Sequence, residues 1–251
     1  MVFEWFVLRR WQGLVWATVL WVPVAAYAVG IPTAPDNRLL GQIGLGYVAT
    51  TGIASTRNID SRNRLHYKHQ LWRYSGHFNY NYIATNGTVN AERLVVEAEA
   101  ERYLDRENEN YILAAVRYDR NQFDGYRHYM VESIGLGHRF LRAGSMRLKG
   151  DLGAGLRQNA YFNDTYGDEP VIRVGLDYLW HISKKSLFTE RIHVFEAPTG
   201  TLMTSETGLS SPINGHLALK VSEVVDHYTS APIMYAQTST FTTINLIYNI
   251  G

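Results

Sequence analysis

The stretch Met146–Arg157 reads M-R-L-K-G-D-L-G-A-G-L-R, and its side chains alternate between two kinds. The apolar set occupies even positions: Met146, Leu148, Leu152, Ala154 and Leu156. The charged set occupies odd positions: Arg147, Lys149, Asp151 and Arg157. Because successive side chains of a strand point to opposite faces, this stretch predicts a β-strand with one apolar face and one charged face.

Similar segments of about ten alternating residues recur along the chain and are separated by turn residues, as in transmembrane barrels. We predict twelve strands, near residues 39–51, 58–68, 73–83, 89–104, 109–119, 127–141, 146–157, 170–182, 186–196, 201–211, 216–226 and 238–250. Tight turns fall at every second connection, and most of the other connections are longer, above all Gln158–Glu169. Even-stranded barrels have this arrangement, with short periplasmic turns and longer outer loops.

The predicted fold is therefore all-β, a single antiparallel transmembrane β-barrel of about twelve strands. Segments 58–68 and 186–211 alternate least, and the loss of one hairpin would leave ten strands. A soluble periplasmic sandwich or barrel would also alternate, with its polar residues in water and its apolar residues in a shared core. The number of segments, the dense aromatics and an export signal favour the membrane barrel, with lipid outside and a polar interior.

The N-terminus has the features of an export signal. Arg9 and Arg10 precede an apolar run, Leu14–Ala28, which closes on a small-x-small cleavage sequence. This order is typical of a secretory signal peptide, and the run is shorter than the roughly 20 residues of a spanning helix. We predict a signal peptide over residues 1–28, cleaved after Ala28, and a bacterial outer-membrane barrel over residues 29–251.

The composition excludes several kinds of function. The chain has no cysteine, which excludes disulfide frameworks, thiolate metal sites and thiol catalysis. Its 24 basic and 23 acidic residues nearly balance, so the charge gives no support for a nucleic-acid partner. Neither a His-Glu-x-x-His motif nor a glycine-rich phosphate loop is present in the sequence. We therefore predict no cofactor, no metal and no nucleic-acid partner.

The charged faces of the predicted strands must point into the barrel. An Arg or Lys that faces lipid near the membrane centre costs about 2–4 kcal/mol. We predict a lumen-lining charged network of Arg93, Glu97, Glu99, Glu101, Arg147, Lys149, Asp151, Arg157, Arg173, Asp177 and His181. Since a barrel of this size has room for side chains and a narrow water path, the lining is either a packing network or the wall of a conducting pore.

Several short motifs occur in a fixed order along the chain. They are Gly44-Leu45-Gly46-Tyr47, Gly135-Leu136-Gly137-His138-Arg139, Glu169-Pro170-x-x-Arg173-x-Gly175-Leu176-Asp177-Tyr178, Ser205-Glu206-Thr207 and Pro212-x-x-Gly215-x-Leu217-Ala218-Leu219-Lys220. In order and spacing they resemble the YdiY-like family of salt-induced outer-membrane proteins, over roughly residues 38–250. The resemblance implies an outer-membrane β-barrel and brings no catalytic residues. One departure is Ile250, which stands where such barrels usually carry Phe.

Two classes of function remain open. The first is a barrel of envelope structure or homeostasis, with or without a narrow small-solute channel through the charged lumen. Its partners would be outer-membrane lipid, the barrel-insertion machinery during assembly, and small solutes; the sequence sets no oligomeric state. The second is a surface hydrolase of lipid or peptide, for which the sequence offers only His181 with Ser183 and the acidic Gln158–Glu169 loop. Since strand parity turns His181 and Ser183 away from lipid, we predict no catalytic residues and no enzyme activity.

Overall fold

The computed structural model describes residues 37–50, 55–105, 107–121, 126–161, 166–230 and 237–250. These residues form twelve strands: β1 (Arg38–Thr50), β2 (Thr56–His69), β3 (Trp72–Thr85), β4 (Thr88–Tyr103), β5 (Asn110–Asn121), β6 (Tyr126–Ala143), β7 (Met146–Tyr161), β8 (Tyr166–Ser183), β9 (Ser186–Ala197), β10 (Gly200–Pro212), β11 (Leu217–Tyr228) and β12 (Thr238–Ile250). The predicted signal peptide lies outside the described residues. In the described part of the chain, no helix is long and apolar enough to cross a membrane.

The strands close into a barrel. Each pairs antiparallel with its neighbours in sequence, and β1 pairs with β12, which places Gly41 opposite Ile250 and Leu45 opposite Leu246. This confirms the predicted twelve-stranded antiparallel barrel and excludes the ten-stranded alternative. The weakly alternating segments form the complete strands β2, β9 and β10, because both neighbouring strands hydrogen-bond their backbones whatever side chains they carry.

The connections between strands distinguish a turn-side end and a loop-side end of the barrel. The turn-side end carries the start of β1, the end of β12 and the connections after β2, β4, β6, β8 and β10, and the loop-side end carries the other connections. The prediction of a loop over Gln158–Glu169 is mostly wrong, since β7 continues to Tyr161 and β8 begins at Tyr166. Its polar residues Asn159 and Glu169 are buried on the inner face of the wall, so their polarity marks the lumen and not a loop.

The loop-side connection after β3 is also shorter than predicted. It consists of Asn86 and Gly87 alone, with φ of 51° and 83°. Positive φ at both central residues is the type I′ hairpin turn, whose twist matches that of the flanking strands. The Asn-Gly pair therefore lets β3 and β4 run on to a two-residue turn, and the expected contrast in length between the two ends is reduced.

The outer surface is apolar over most of its circumference. Exposed apolar side chains face outward from most of the strands, among them Ile43, Leu45, Phe78, Ile112, Val116, Ile134, Leu136, Leu152, Ile172, Val174, Leu219, Val221, Ile244 and Leu246. A soluble sandwich or barrel would bury such residues in an internal core, so a closed barrel that carries them on its outer surface excludes both forms of that alternative. An apolar outer wall around a polar interior is the construction of a membrane-spanning barrel.

Candidate functional site

Apolar side chains fill part of the lumen at the loop-side end. This cluster, called the plug below, consists of buried Val131, Val171, Phe195, Ala197 and Leu202, with Tyr129 and Tyr228 packed against them. Phe195 lies two residues before the loop-side end of β9, and Leu202 lies two residues after the start of β10. The guanidinium of Arg117, on β5, lies 5.8 Å from the Phe195 ring centre, so the plug reaches across the lumen to the facing wall.

A charged cluster on the facing wall fills the same level of the lumen. Asp119 lies two residues from the loop-side end of β5 and accepts from Arg93 at 2.7 Å and from Arg117 at 3.0 Å. Arg93 also bonds Asp226, which lies two residues from the loop-side end of β11. Glu97 completes the cluster at 3.3 Å from Arg117. These groups are buried, so each depends on its partners to replace lost hydration.

A second charged cluster occupies the turn-side part of the lumen. Arg173 bonds Glu99 at 2.6 Å and approaches Asp151 at 3.3 Å. Lys149 bonds Glu101 at 2.6 Å and lies 3.2 Å from Asp177. Two of these pairs, Arg173 with Glu99 and Lys149 with Glu101, join β8 and β7 to β4, to which the backbone ladder does not connect them directly. The other two pairs join the neighbouring strands β7 and β8.

The remaining members of the predicted network lie nearer the two ends. Arg157 is buried toward the loop-side end and bonds Glu169 at 2.6 Å. Arg147 is half-buried, one residue after β7 begins. His181 is exposed near the turn-side end of β8, outside both buried clusters.

Sequence reasoning did not single out several partners of this network. They are Asp60, Arg62, Arg64, Arg117, Asp119, Glu206, Lys220 and Asp226. On β5, Ile112, Ala114 and Val116 form an apolar face. The alternation that they begin would have identified Arg117 and Asp119 on the opposite face. On β2 that signal is absent, because Ser61 and Asn63 make the outer face polar as well.

Two cavities lie within the charged lumen. The larger, called the turn-side chamber below, has about 160 Å³ and is lined by residues near the turn-side end, including Arg73 and Arg147. The smaller has about 30 Å³ and lies next to Arg62, whose two terminal nitrogens have no hydrogen-bond partner among the described residues. Arg191 and Glu206 line both cavities and therefore form the partition between them.

One group of side chains has the spacing of a metal site. Single ligand atoms of Glu97, Glu99 and His193 lie within 4.8 Å of one another. However, Arg117 already binds Glu97, and Arg173 binds Glu99 at 2.6 Å. Since two guanidinium groups neutralise the carboxylates and would repel a cation, this group belongs to the ion-pair network.

The residues considered for hydrolysis do not assemble a site. The Ser183 hydroxyl accepts from the Lys185 amide at 3.1 Å in the tight turn, and among the described residues no hydrogen bond joins it to His181. Of the acidic loop, Asp164 lies outside the described residues, and Glu169 is held by Arg157, Asn159 and Thr199. Nucleophilic catalysis needs a hydroxyl within reach of its base, which is not the arrangement found here.

The sequence motifs acquire structural roles in the barrel. Gly44 faces inward, where an added Cβ would lie 2.5 Å from Ile247, so the glycine makes room for β12 side chains. In Ser205-Glu206-Thr207, Glu206 points into the lumen while the two hydroxyls point outward and bond Glu190. Five charged residues of the motifs thus belong to the ion-pair network: Glu169, Arg173, Asp177, Glu206 and Lys220.

A sequence model of the DUF481 family, described as a protein of unknown function, matches residues 43–250. The chain belongs to this family. The uncharacterized protein YdiY of Escherichia coli (strain K12) is 23% identical over 220 residues, which cover 87% of this chain and 86% of YdiY. The resemblance inferred from the ordered motifs is therefore confirmed.

The chain is similar to solved structures of a channel and of a porin. An outer membrane channel from Pseudomonas putida F1 superposes with a TM-score of 0.51 at 8% identity, covering 91% of this chain and 100% of the channel. The NanC porin gives a TM-score of 0.49 at 9% identity, covering 85% of this chain and 100% of the porin. With its closed sheet and apolar exterior, the molecule is an outer-membrane β-barrel protein, as predicted from the sequence.

Proposed function

We propose that this protein is a barrel of envelope structure or homeostasis whose lumen is closed to solutes in the conformation described. The observation that carries the proposal is the layer at the loop-side end, where the plug meets the cluster of Arg93, Arg117 and Asp119. Phe195 and Asp119 are each 2% exposed, so this level is packed from both walls.

The pairing of the lumen charges supports the same proposal. A conducting pore needs charged groups that remain hydrated and can exchange partners with passing ions. Here Asp119 accepts from two guanidinium groups and from the Tyr129 hydroxyl, at distances of 2.7–3.0 Å. Arg93 also bonds Asp226 on β11, so the network reaches from β4–β6 across to the facing wall and leaves little room for hydrated ions.

Planar-bilayer recordings on the refolded protein test closure. Wild-type protein is expected to give no steady current steps, whereas Phe195→Ala, which removes a buried phenyl ring from the plug, is expected to give steps. The control is Phe78→Ala, which removes an exposed phenyl ring from the outer wall and leaves the lumen intact. Steady steps from the wild-type protein would contradict the proposal.

A narrow channel is the second candidate, and the turn-side chamber favours it. A chamber of about 160 Å³ inside the lumen would become part of a continuous path if the plug, the charged cluster beside it and the partition of Arg191 and Glu206 moved apart. This version predicts that wild-type protein conducts in brief, voltage-dependent bursts, and that Phe195→Ala lengthens them.

We also propose that residues 1–28 are removed during export and that the barrel-insertion machinery then assembles residues 29–251 in the outer membrane. The basic start, apolar run and small-residue exit of the first 28 residues support this. Mass spectrometry of the protein extracted from outer membranes should find Val29 at the N-terminus, and an intact N-terminus would contradict the cleavage.

A further inference from the structure

The turn-side chamber has more cationic than acidic side chains on its wall. Its six cationic residues are Arg64, Arg73, Arg139, Arg147, Lys149 and Arg191, against four acidic residues. One of the four, Glu190, is bonded by Ser205 and Thr207 of the outer wall, each at 2.6 Å. The chamber is therefore electropositive, and a low-dielectric wall strengthens the field of such a cleft.

The acidic groups inside the chamber already have cationic partners. Glu206 bonds Arg64 at 2.5 Å and lies 3.4 Å from Lys220. Asp177 bonds Arg191 at 2.9 Å, and Glu99 bonds Arg173 at 2.6 Å. Lys220 and Arg173 belong to the surrounding network and not to the chamber wall, so they neutralise wall carboxylates from behind.

Two arginines at the turn-side mouth of the chamber lack a hydrogen-bonded carboxylate among the described residues. Arg139 donates to the neutral Tyr103 hydroxyl at 3.0 Å. Arg73 lies 3.8 Å from Glu101, beyond hydrogen-bond distance, and keeps 28% of its side-chain exposure. A guanidinium group without a hydrogen-bonded carboxylate can present paired N–H donors to an incoming ligand. This geometry matches carboxylate and phosphate oxygens.

We propose that the turn-side chamber binds a small oxyanion of the size and charge of inorganic phosphate, held by Arg73 and Arg139. The volume of about 160 Å³ agrees with this size, since a protein cavity of about 150 Å³ holds a molecule such as benzene. A multiply charged oxyanion compensates the cationic excess better than chloride and can accept from both guanidinium groups at once.

Isothermal titration of inorganic phosphate into the barrel, refolded in zwitterionic detergent at low ionic strength, tests the site. Wild-type protein is expected to bind one phosphate saturably. The double variant Arg73→Gln/Arg139→Gln is expected to bind at least ten-fold more weakly. The matched control is Arg102→Gln, which removes a charge from the outer wall beside the Trp72 ring, at the same end of the barrel. It should change the affinity less than two-fold.

Three results would overturn the proposal: no saturable binding by the wild-type protein, equal binding by the double variant, or an equal loss in Arg102→Gln. Each variant is first checked for the electrophoretic shift on boiling that marks a folded barrel. If the double variant does not fold, Arg139→Gln alone must weaken phosphate binding while sodium chloride at matched ionic strength produces no saturable heat. Since binding is measured without a membrane current, closure of the lumen and anion binding can fail independently.

Discussion

On strands β9–β11, the partners of a glutamate side chain differ between the inner and the outer surface of the barrel. On the inner surface, the Glu206 carboxylate lies 2.5 Å from Arg64 and 3.4 Å from Lys220. On the outer surface, within the described part of the chain, Glu190 accepts from the hydroxyls of Ser205 and Thr207, and Glu223 accepts from the Thr242 hydroxyl at 3.3 Å. The lumen compensates a carboxylate with cations, whereas the outer wall compensates it with neutral donors.

Apolar residues also differ between the two surfaces, in the packing around their side chains. Leu202 and Leu209 lie on the same strand, β10, and are 8% and 48% exposed. Leu202 packs within the plug, whose atoms are fixed by the fold, whereas Leu209 faces fluid lipid chains. The inner surface thus needs complementary shapes and charges, and the outer surface needs only apolar area.

The largest expected effect is the loss of an enclosed charge. Asp119→Ala removes the carboxylate shared by Arg93 and Arg117 and leaves both guanidinium groups buried. We expect the free energy of unfolding to fall by about 3–5 kcal/mol. Urea unfolding in lipid vesicles, followed by tryptophan fluorescence, measures it. The control is Glu132→Ala, which removes an exposed carboxylate from the outer face of the neighbouring strand β6. Equal losses in both variants would remove the distinction between the two surfaces.

The apolar comparison predicts a smaller difference. Leu202→Ala leaves a cavity in the plug and should lower the free energy of unfolding by about 2–5 kcal/mol. Leu209→Ala removes the same atoms, but lipid chains move into the space, so only the transfer contribution is lost. The same urea experiment should therefore find Leu202→Ala more destabilising by about 1 kcal/mol or more. If the two variants lower the free energy of unfolding equally, the plug is packed no more tightly than the lipid.

The barrel itself was predictable from the sequence because both of its surfaces impose a two-residue period. The twelve predicted segments agree with the twelve strands to within a few residues, including β9 and β10, where the alternation is weak. The Gln158–Glu169 loop was predicted wrongly because a lumen-facing Asn159 or Glu169 has the same polarity as a loop residue. Periodicity reports the face of a side chain, whereas polarity alone does not distinguish lumen from solvent.

The candidate site was less accessible to prediction. Parity predicts inner-face positions for Arg93, Glu97 and Arg173, and these side chains are buried. It could not indicate which charges meet, because partners such as Arg173 and Glu99 are 74 residues apart and meet only when the barrel closes. The chamber likewise depends on the relative heights of several strands, which are set by register and not by composition.

Replacing a carboxylate of the outer surface is expected to raise the free energy of unfolding, whereas the preceding variants lower it. Glu223 lies near the middle of β11, directly opposite Thr207 on one side and Thr242 on the other. Because an acidic group against lipid is unfavourable, Glu223→Val should raise the free energy of unfolding by about 1 kcal/mol. The matched inner change, Glu206→Val, should lower it. An unchanged or lowered value for Glu223→Val in vesicles would show that protein or water covers this part of the outer wall.

The smallest expected effect concerns a carboxylate that belongs to neither surface. Asp105, in the turn between β4 and β5, accepts from the backbone amides of Glu109 and Asn110, each at 2.7 Å, and these bonds hold its pKa below the ordinary value. A carboxylate with a depressed pKa contributes stability above the unfolded-state pKa of about 3.9 and loses it as the pH falls through the folded-state value. Between pH 6 and pH 3, the urea midpoint of Asp105→Asn should therefore fall slightly less than that of the wild-type protein. Glu107→Gln, which removes a second exposed carboxylate from the same turn, is the control and should keep the wild-type pH dependence. An Asp105→Asn variant that keeps the wild-type pH dependence would contradict the prediction.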